Sequence, residues 1–165
     1  MPTADASPAD GGDYYTQLRA LTNGAHELSA ATRKAITEAK VRPLHEGAVG
    51  VVFGSRMQDV INVWGRPESI WMMNKDKTQL KMGGSSFTFI NDSLIGISVH
   101  RVDLPLFTVG DGQVKMGEKA PDLVKVFPGA IAGADADEVE LPNGLTVSVN
   151  QYEGKVIAIR LQKKP

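Results

Sequence analysis

Phe53-Gly54-Ser55-Arg56-Met57-Gln58-Asp59-Val60-Ile61-Asn62-Val63-Trp64-Gly65-Arg66-Pro67 is echoed 63 residues further on by Met116-Gly117-Glu118-Lys119-Ala120-Pro121-Asp122-Leu123-Val124-Lys125-Val126-Phe127-Pro128-Gly129. Gly54 falls on Gly117, Asp59 on Asp122, Val63 on Val126 and Trp64 on Phe127. Each stretch leads into a β-rich region that ends in an alternating run, Leu94 to His100 in the first case and Val156 to Leu161 in the second. Self-similarity at a fixed spacing speaks to architecture, because each copy encodes one supersecondary unit. The pattern predicts an α+β fold: two tandem helix-plus-antiparallel-meander repeats forming a helix-on-sheet layer, preceded by an N-terminal helical segment. It favours a scaffold with a duplicated surface over a chain built around one catalytic centre.

Within the first copy, Ser55 and Gln58 have the spacing of a capping box, whose side chains satisfy the free N–H groups of a first helical turn. Met57, Val60, Ile61 and Trp64 recur at helical spacing and predict a buried face, while Gly65 and Pro67 predict the stop. Asp59 and Asp122 fall in or near first turns, where a carboxylate is stabilised by the helix dipole. That capping role is the reading for both. Strands are expected over 70–73, 78–82, 86–90 and 94–101, separated by Asn74-Lys75-Asp76-Lys77, Gly83-Gly84 and Asn91-Asp92-Ser93, turn sequences that suit hairpins. The second copy predicts strands over 139–141, 145–150 and 156–161. Its first strand is expected to be short or lost, since Gly, Ala and Asp dominate between Phe127 and Val139.

Alternation along these strands separates two sheet faces. Phe87, Phe89, Ile95, Ile97 and Val99 are expected on one face, with Val147, Val149, Ile157, Ile159 and Leu161, packed under the helices. The opposite face collects Ser86, Thr88, Gly96, Ser98 and His100 with Thr146, Ser148, Asn150, Ala158 and Arg160. It reads as small, polar and almost free of acidic bulk. Trp71-Met72-Met73 opens the first strand; Trp71 and Met73 point the same way, and aromatic and methionine side chains are enriched at protein interfaces.

Working outward, residues 1–12 are small, polar and punctuated by Pro and Gly, a composition that buries too little apolar surface to offset its ordering entropy. They read as a disordered tether of the kind that follows a removed signal or lipid-attachment segment. Residues 13–49 form an N-terminal helical segment and connector, with a helix expected across Ala25 to Lys40 and Pro43 ending it. Residues 50–107 are the first α+β repeat and 108–165 the second. At 165 residues and a formal net charge of −1, the chain lacks the basic excess of a nucleic-acid binder. It has no cysteine, so disulfides, thiolate metal sites and a cysteine nucleophile are excluded. No apolar run approaches the ~18 residues of a membrane span.

A helix opened by Gly54-Ser55, carrying Asp59-Val60 and closed by Trp64-Gly65-Arg66-Pro67, then Phe87-Thr88-Phe89 and Leu94-Ile95-Gly96-Ile97 on strands, resembles a known repeat. It is similar to the small lipoprotein of the outer-membrane β-barrel assembly machine and to the β-lactamase-inhibitor-protein-like repeat. The resemblance covers 50–102 and, more loosely, 114–162. It implies tandem helix-on-sheet units outside the cytoplasm that bind proteins rather than catalyse reactions, with the concave sheet face receiving the partner.

No catalytic or metal-binding pattern competes with this. His26 and His45 lack the His/Asp/Glu spacing of a metal site. His100 and Arg101 are adjacent on a strand and point to opposite faces, so they do not converge on a substrate, and a hydrolase built on His100 and Asp103 is the least favoured class. Gly83-Gly84-Ser85-Ser86 precedes a strand, not the helix N-terminus that a phosphate cradle needs. The sequence therefore predicts a non-enzymatic, cofactor-free and metal-free binding module in the periplasm or cell envelope, with a cytoplasmic location as the alternative. It is expected to engage a protein partner, with no nucleic acid, no membrane span and a lipid tether outside this chain. The expected binding residues are Thr88, Ser98, His100, Thr146, Ser148, Asn150 and Arg160, with Trp71 and Met73. The alternative is a small-molecule-binding protein with a pocket between the N-terminal helix and the sheet.

Overall fold

A computed structural model of the protein describes residues 28–135 and 137–164. The expected tether and the helical reading of 13–27 lie outside the described residues. Helix α1 (Ala30–Thr37) is followed by the small hairpin β1 (Gly47–Ala48) and β2 (Val51–Val52), then helix α2 (Met57–Trp64). Strands β3 (Ser69–Met72), β4 (Lys77–Met82), β5 (Ser85–Ile90) and β6 (Ser93–His100) complete the first half. A second hairpin, β7 (Thr108–Val109) and β8 (Val114–Lys115), leads to helix α3 (Leu123–Val126). Strands β9 (Ile131–Ala132), β10 (Glu138–Glu140), β11 (Leu145–Tyr152) and β12 (Lys155–Lys163) end the chain. The eight longer-range strands form one antiparallel sheet in the order β3-β4-β5-β6-β12-β11-β10-β9. It is an α+β fold with helices packed on a large antiparallel sheet. The sheet is continuous across its middle, where β6 pairs with β12 and Ser98 faces Arg160, 62 positions on.

Helix α2 forms where the apolar spacing predicts it, and Met57, Val60, Ile61 and Trp64 are all buried. Its start differs from the expected capping box. Arg56, not Ser55, is the N-cap residue, and its backbone N–H donates to Asp59 Oδ2 at 3.0 Å. The next free amide, Met57 N–H, donates to Asp92 Oδ1 at 2.9 Å from the β5–β6 turn. Gln58 bonds Asn62 one turn along instead. Carboxylates thus occupy the positive end of the helix, one local and one brought there by the tertiary fold. In α3 the order changes. Asp122 is itself the N-cap and accepts from Val124 N–H. Pro121 stands where Gln58 stands in the first stretch, and a proline disfavours helical geometry in the residue before it. The first turn is lost there, which leaves α3 four residues long against eight for α2.

The two glycines of the echo have a common geometric cause. Gly54 and Gly117 have φ of 92° and 79°, a region that L side chains enter only with strain. Gly54 N–H donates to Leu94 O and Leu94 N–H to Ser55 O. Gly117 N–H donates to Val156 O and Val156 N–H to Glu118 O. In both places the turn before the helix is stitched to the last strand of the following meander. A Cβ at either glycine would meet nothing within 4 Å, so the cost of substitution is conformational alone. Gly54→Ala and Gly117→Ala should each lower stability by about 1–2 kcal/mol, read from urea denaturation midpoints. Neutral outcomes at both would mean that the backbone geometry is not what these positions select.

Alternation predicts most of the core, and a pair of register shifts corrects it. β5 and β6 pair Thr88 with Gly96 but Phe89 with Leu94, so one extra residue is inserted in β6. β11 and β12 pair Asn150 with Ala158 but Gln151 with Val156, the same irregularity in the other half. An inserted residue reverses the alternation locally. Leu94 and Val156 therefore enter the core cluster, while Ile95 and Ile157, expected there, stand outside it. The cluster otherwise joins Phe87, Phe89, Ile97, Val99, Val147, Val149, Ile159 and Leu161 of the sheet to the buried residues of the three described helices.

Helix α1 is shorter than expected. Ser29 is extended and its hydroxyl accepts from Thr32 N–H at 3.0 Å, so the helix begins at Ala30, and it ends at Thr37, well before Pro43. Leu28 and Ile36 join the same core cluster, and α1 packs on α2. The N-terminal helix therefore packs within its own chain.

Candidate functional site

One face of the sheet carries the core and the helices; no helix among the described residues packs on the other, and strand register places the expected binding residues there in adjacent cross-strand rows. In the central row, Lys81, Ser86, Ser98, Arg160, Ser148 and Glu138 are successive partners across six strands. The neighbouring row runs Trp71, Gln79, Thr88, Gly96, Gln162, Thr146 and Glu140. A third joins His100, Ala158 and Asn150. Thr88, Ser98, His100, Thr146, Ser148, Asn150 and Arg160 thus meet in one patch around Arg160, which is exposed. Trp71, 63% exposed, stands at the β3 edge in the row of Thr88. Met73 lies just past the end of β3, half exposed, with its N–H bonded to Lys77 O.

The side chains over the centre of the patch are short. Gly96 leaves little room above it: a Cβ would come within 2.9 Å of Gln162 Oε1 and 3.3 Å of Thr88 Cβ. The amide of Gln162 thus lies over the strand that Gly96 leaves bare. The patch is less neutral than alternation in β6 and β12 suggested. Glu138 and Glu140 flank buried Val139 on β10 and add two carboxylates at one side, with Glu140 paired to Lys164 at 3.0 Å, while Lys81 stands at the other. Gln79, Lys81, Gln162, Glu138 and Glu140 share these rows and are not among the residues expected from the sequence. Their alternation was legible, but which strands would neighbour β6 and β12 was not.

His100 and Asp103 do not form a catalytic pair. The carboxylate of Asp103 is buried and accepts from Ser85 Oγ, and that oxygen in turn accepts from His100 N–H at 3.0 Å. His100 Nδ1 accepts from Val102 N–H at 3.2 Å, and its ring lies where a Cβ on Gly84 would clash, at 2.9 Å. The trio ties the β4–β5 turn to the end of β6. Among the described residues no group of three or more His, Cys, Asp or Glu side chains could hold a metal ion, and no helix is long and apolar enough to cross a membrane.

A cavity of about 320 Å³ lies under α1, walled by α1, by the connector from Ala39 to Gly50 and by 104–108, the segment that links the two halves of the chain. No strand of the eight-stranded sheet lines it.

Among the described residues the fold defines a class, helices packed on one face of a large antiparallel sheet. No protein-family model and no curated protein sequence matches the chain. Among solved structures, the fold is similar to that of an extracellular protein containing an SCP domain from Bacillus anthracis, with a TM-score of 0.51 and 11% identity, over 77% of this chain and 49% of that one. A cysteine-rich secretory protein from Staphylococcus aureus matches with a TM-score of 0.49 and 8% identity, over 68% of this chain and 44% of that one. The chain spans about half the length of the solved structures it matches. The likeness is one of fold, and it corrects the expected resemblance to the outer-membrane assembly lipoprotein and the β-lactamase-inhibitor repeat. The residues that carried that resemblance, Gly54-Ser55, Asp59 and Gly65-Arg66-Pro67, are those that start and stop a short helix. Unrelated folds need the same chemistry at the same spacing.

Proposed function

We propose that the protein is a non-catalytic binding module that engages a protein partner through the open polar face of its sheet, outside the cytoplasm. The observation that carries this is the patch around Arg160 of β12, where short polar side chains from β5, β6 and β11 adjoin it and no helix of the described chain lies over them. Thr88, Ser98, His100, Thr146, Ser148, Asn150 and Arg160 form its floor. Trp71 and Met73 at the β3 edge are the apolar anchors, both of residue types enriched at interfaces. The extracellular description of the Bacillus anthracis protein supports the compartment. We further take 50–107 and 108–165 as two copies of one unit, supported by the recurrence of helix, four strands and the register shift in each, with a small hairpin before each helix, the first of them starting at Gly47. A ligand pocket between the N-terminal helix and the sheet has less support, because the sheet does not line the cavity.

The register dictates the test. Ser98 and Ser148 both face Arg160, so arginine at either would set like charges directly opposite and weaken the sheet. Thr88 faces Gln79 and Gly96, and Thr146 faces Gln162 and Glu140, so both tolerate a cation. Thr88→Arg/Thr146→Arg should keep the thermal midpoint within about 2 °C and abolish retention of the partner. The readout is quantitative mass spectrometry of proteins held from envelope extracts, with Lys119→Glu, on an exposed residue of the loop before α3, as control. A partner held equally by wild type and double variant would overturn the sheet-face reading.

A further inference from the structure

The cavity under α1 lies apart from the sheet face and has its own chemistry. Among the described residues its charged lining side chains are Arg33, Lys40 and Arg42, and no carboxylate lines it. Glu38 and Glu46 belong to the same stretch of chain and are not part of the lining. Among the described residues none of the three cations is in an ion pair. Between them the walls are apolar, with Ile36 buried, Leu44 and Phe107 half-buried, and Val41 and Leu106 91% and 84% exposed. Two large apolar side chains thus lie exposed beside three cations, an apolar surface rimmed by charge of the kind that marks ligand-binding grooves.

We propose that this cavity binds an anionic amphiphile, a medium-length alkyl carboxylate or alkyl phosphate, with its head group on Arg33, Lys40 and Arg42. Its chain then lies along Ile36, Leu44 and Phe107, covered by Val41 and Leu106. The two halves of the lining select the ligand together. A small inorganic anion has no use for the apolar walls, and a neutral hydrocarbon leaves three cations without a counter-charge. The volume is at the lower end of the range for small-molecule sites, about 300–1,000 Å³, which suits one short chain and not a two-chain lipid. The site shares no residue with the sheet face, so either can fail while the other stands.

The test titrates the full chain with decanoate and decyl phosphate below their micelle concentrations. Decanol and decyltrimethylammonium serve as neutral and cationic matches, and phosphatidylglycerol vesicles as a membrane surface. The expected result is saturable one-to-one binding of at least one anion, about tenfold or more tighter than decanol, as a hydrogen bond to a charged group warrants. Shortening decanoate to octanoate should weaken binding roughly fourfold for each methylene lost from the cavity. Arg33→Gln/Lys40→Gln/Arg42→Gln should erase the preference over decanol while the thermal midpoint and partner capture stay unchanged. Preference for one anion over the other identifies the head group and supports the site. No saturable binding, equal affinity for decanoate and decanol, an unaffected triple variant, or binding to vesicles alone would each overturn it.

Discussion

Trp64→Ala is expected to lower the free energy of unfolding by about 3–5 kcal/mol, the range for truncating a large aromatic residue in a packed core. Trp64 is 1% exposed and is the largest side chain buried so completely. Its ring meets Phe87 edge-on, with centroids 5.0 Å apart at 70°, a geometry worth about 0.5–1.5 kcal/mol beyond the area it buries. The indole N–H donates to Val49 O at 3.1 Å. Trp64 therefore joins α2 to the sheet through β5 and to the turn of the β1–β2 hairpin. Trp64→Phe separates the two contributions, since it keeps a ring against Phe87 and leaves Val49 O without its donor. It should cost about 1–3 kcal/mol, combining a smaller cavity with one lost hydrogen bond. Denaturant titrations with unchanged slope would measure both. A loss below about 1 kcal/mol for the alanine variant would show that α2 is not held by this contact.

The second large effect concerns a buried charge. Asp103→Ala should cost about 2–4 kcal/mol, because a hydrogen bond to a charged group is lost and the Ser85 hydroxyl is stranded. Asp103 is 5% exposed and Ser85 fully buried. Asp103 also fills the space over Gly83, where a Cβ would come within 2.4 Å of Oδ1; Gly83 turns the β4–β5 hairpin at φ 67°. The carboxylate thus holds the hairpin to the segment that leads from the first half of the chain to the second. Asp103→Asn keeps an acceptor for Ser85 Oγ and should be milder, about 1–2 kcal/mol. In a double-mutant cycle, Ser85→Ala and Asp103→Ala should be non-additive by roughly 0.5–3 kcal/mol. Strict additivity would mean that the two groups do not depend on one another, and that the arrangement of Ser85, His100 and Asp103 needs another explanation than a structural tie.

The residues that decide local structure were legible before any coordinates. Gly54 and Gly117, Asp59 and Asp122, and Trp64 and Phe127 mark where each helix begins and ends. Binary patterning placed Phe87, Phe89, Ile97 and Val99 in the core and Thr88, Ser98 and His100 on the reverse face. It failed at Ile95 and Ile157, because a single inserted residue inverts a two-residue period and carries no compositional mark. It also failed at the helix caps, where Asp92 reaches α2 from 35 residues away. The lineage suggested by the helix signature failed too, since capping chemistry answers a local need that many folds share.

The amino-acid sequence alone dictated helix α2, seven of the eight strands of the large sheet in their order, most of their apolar faces, and the small polar character of much of the surface turned away from the core. These follow from interactions within a few residues: backbone strain, capping, and the period of burial. The two small hairpins, β1–β2 and β7–β8, carried no such signal. Which strands are neighbours belongs to the folded chain. The pairing of β6 with β12 brings Ser98 against Arg160 and assembles one patch from two halves of the sequence. The cavity gathers Arg33 and Arg42 with Leu106 in the same way. Such contacts join segments separated by 60 residues or more, and they are chosen by the shape of the whole core, to which no local stretch has access.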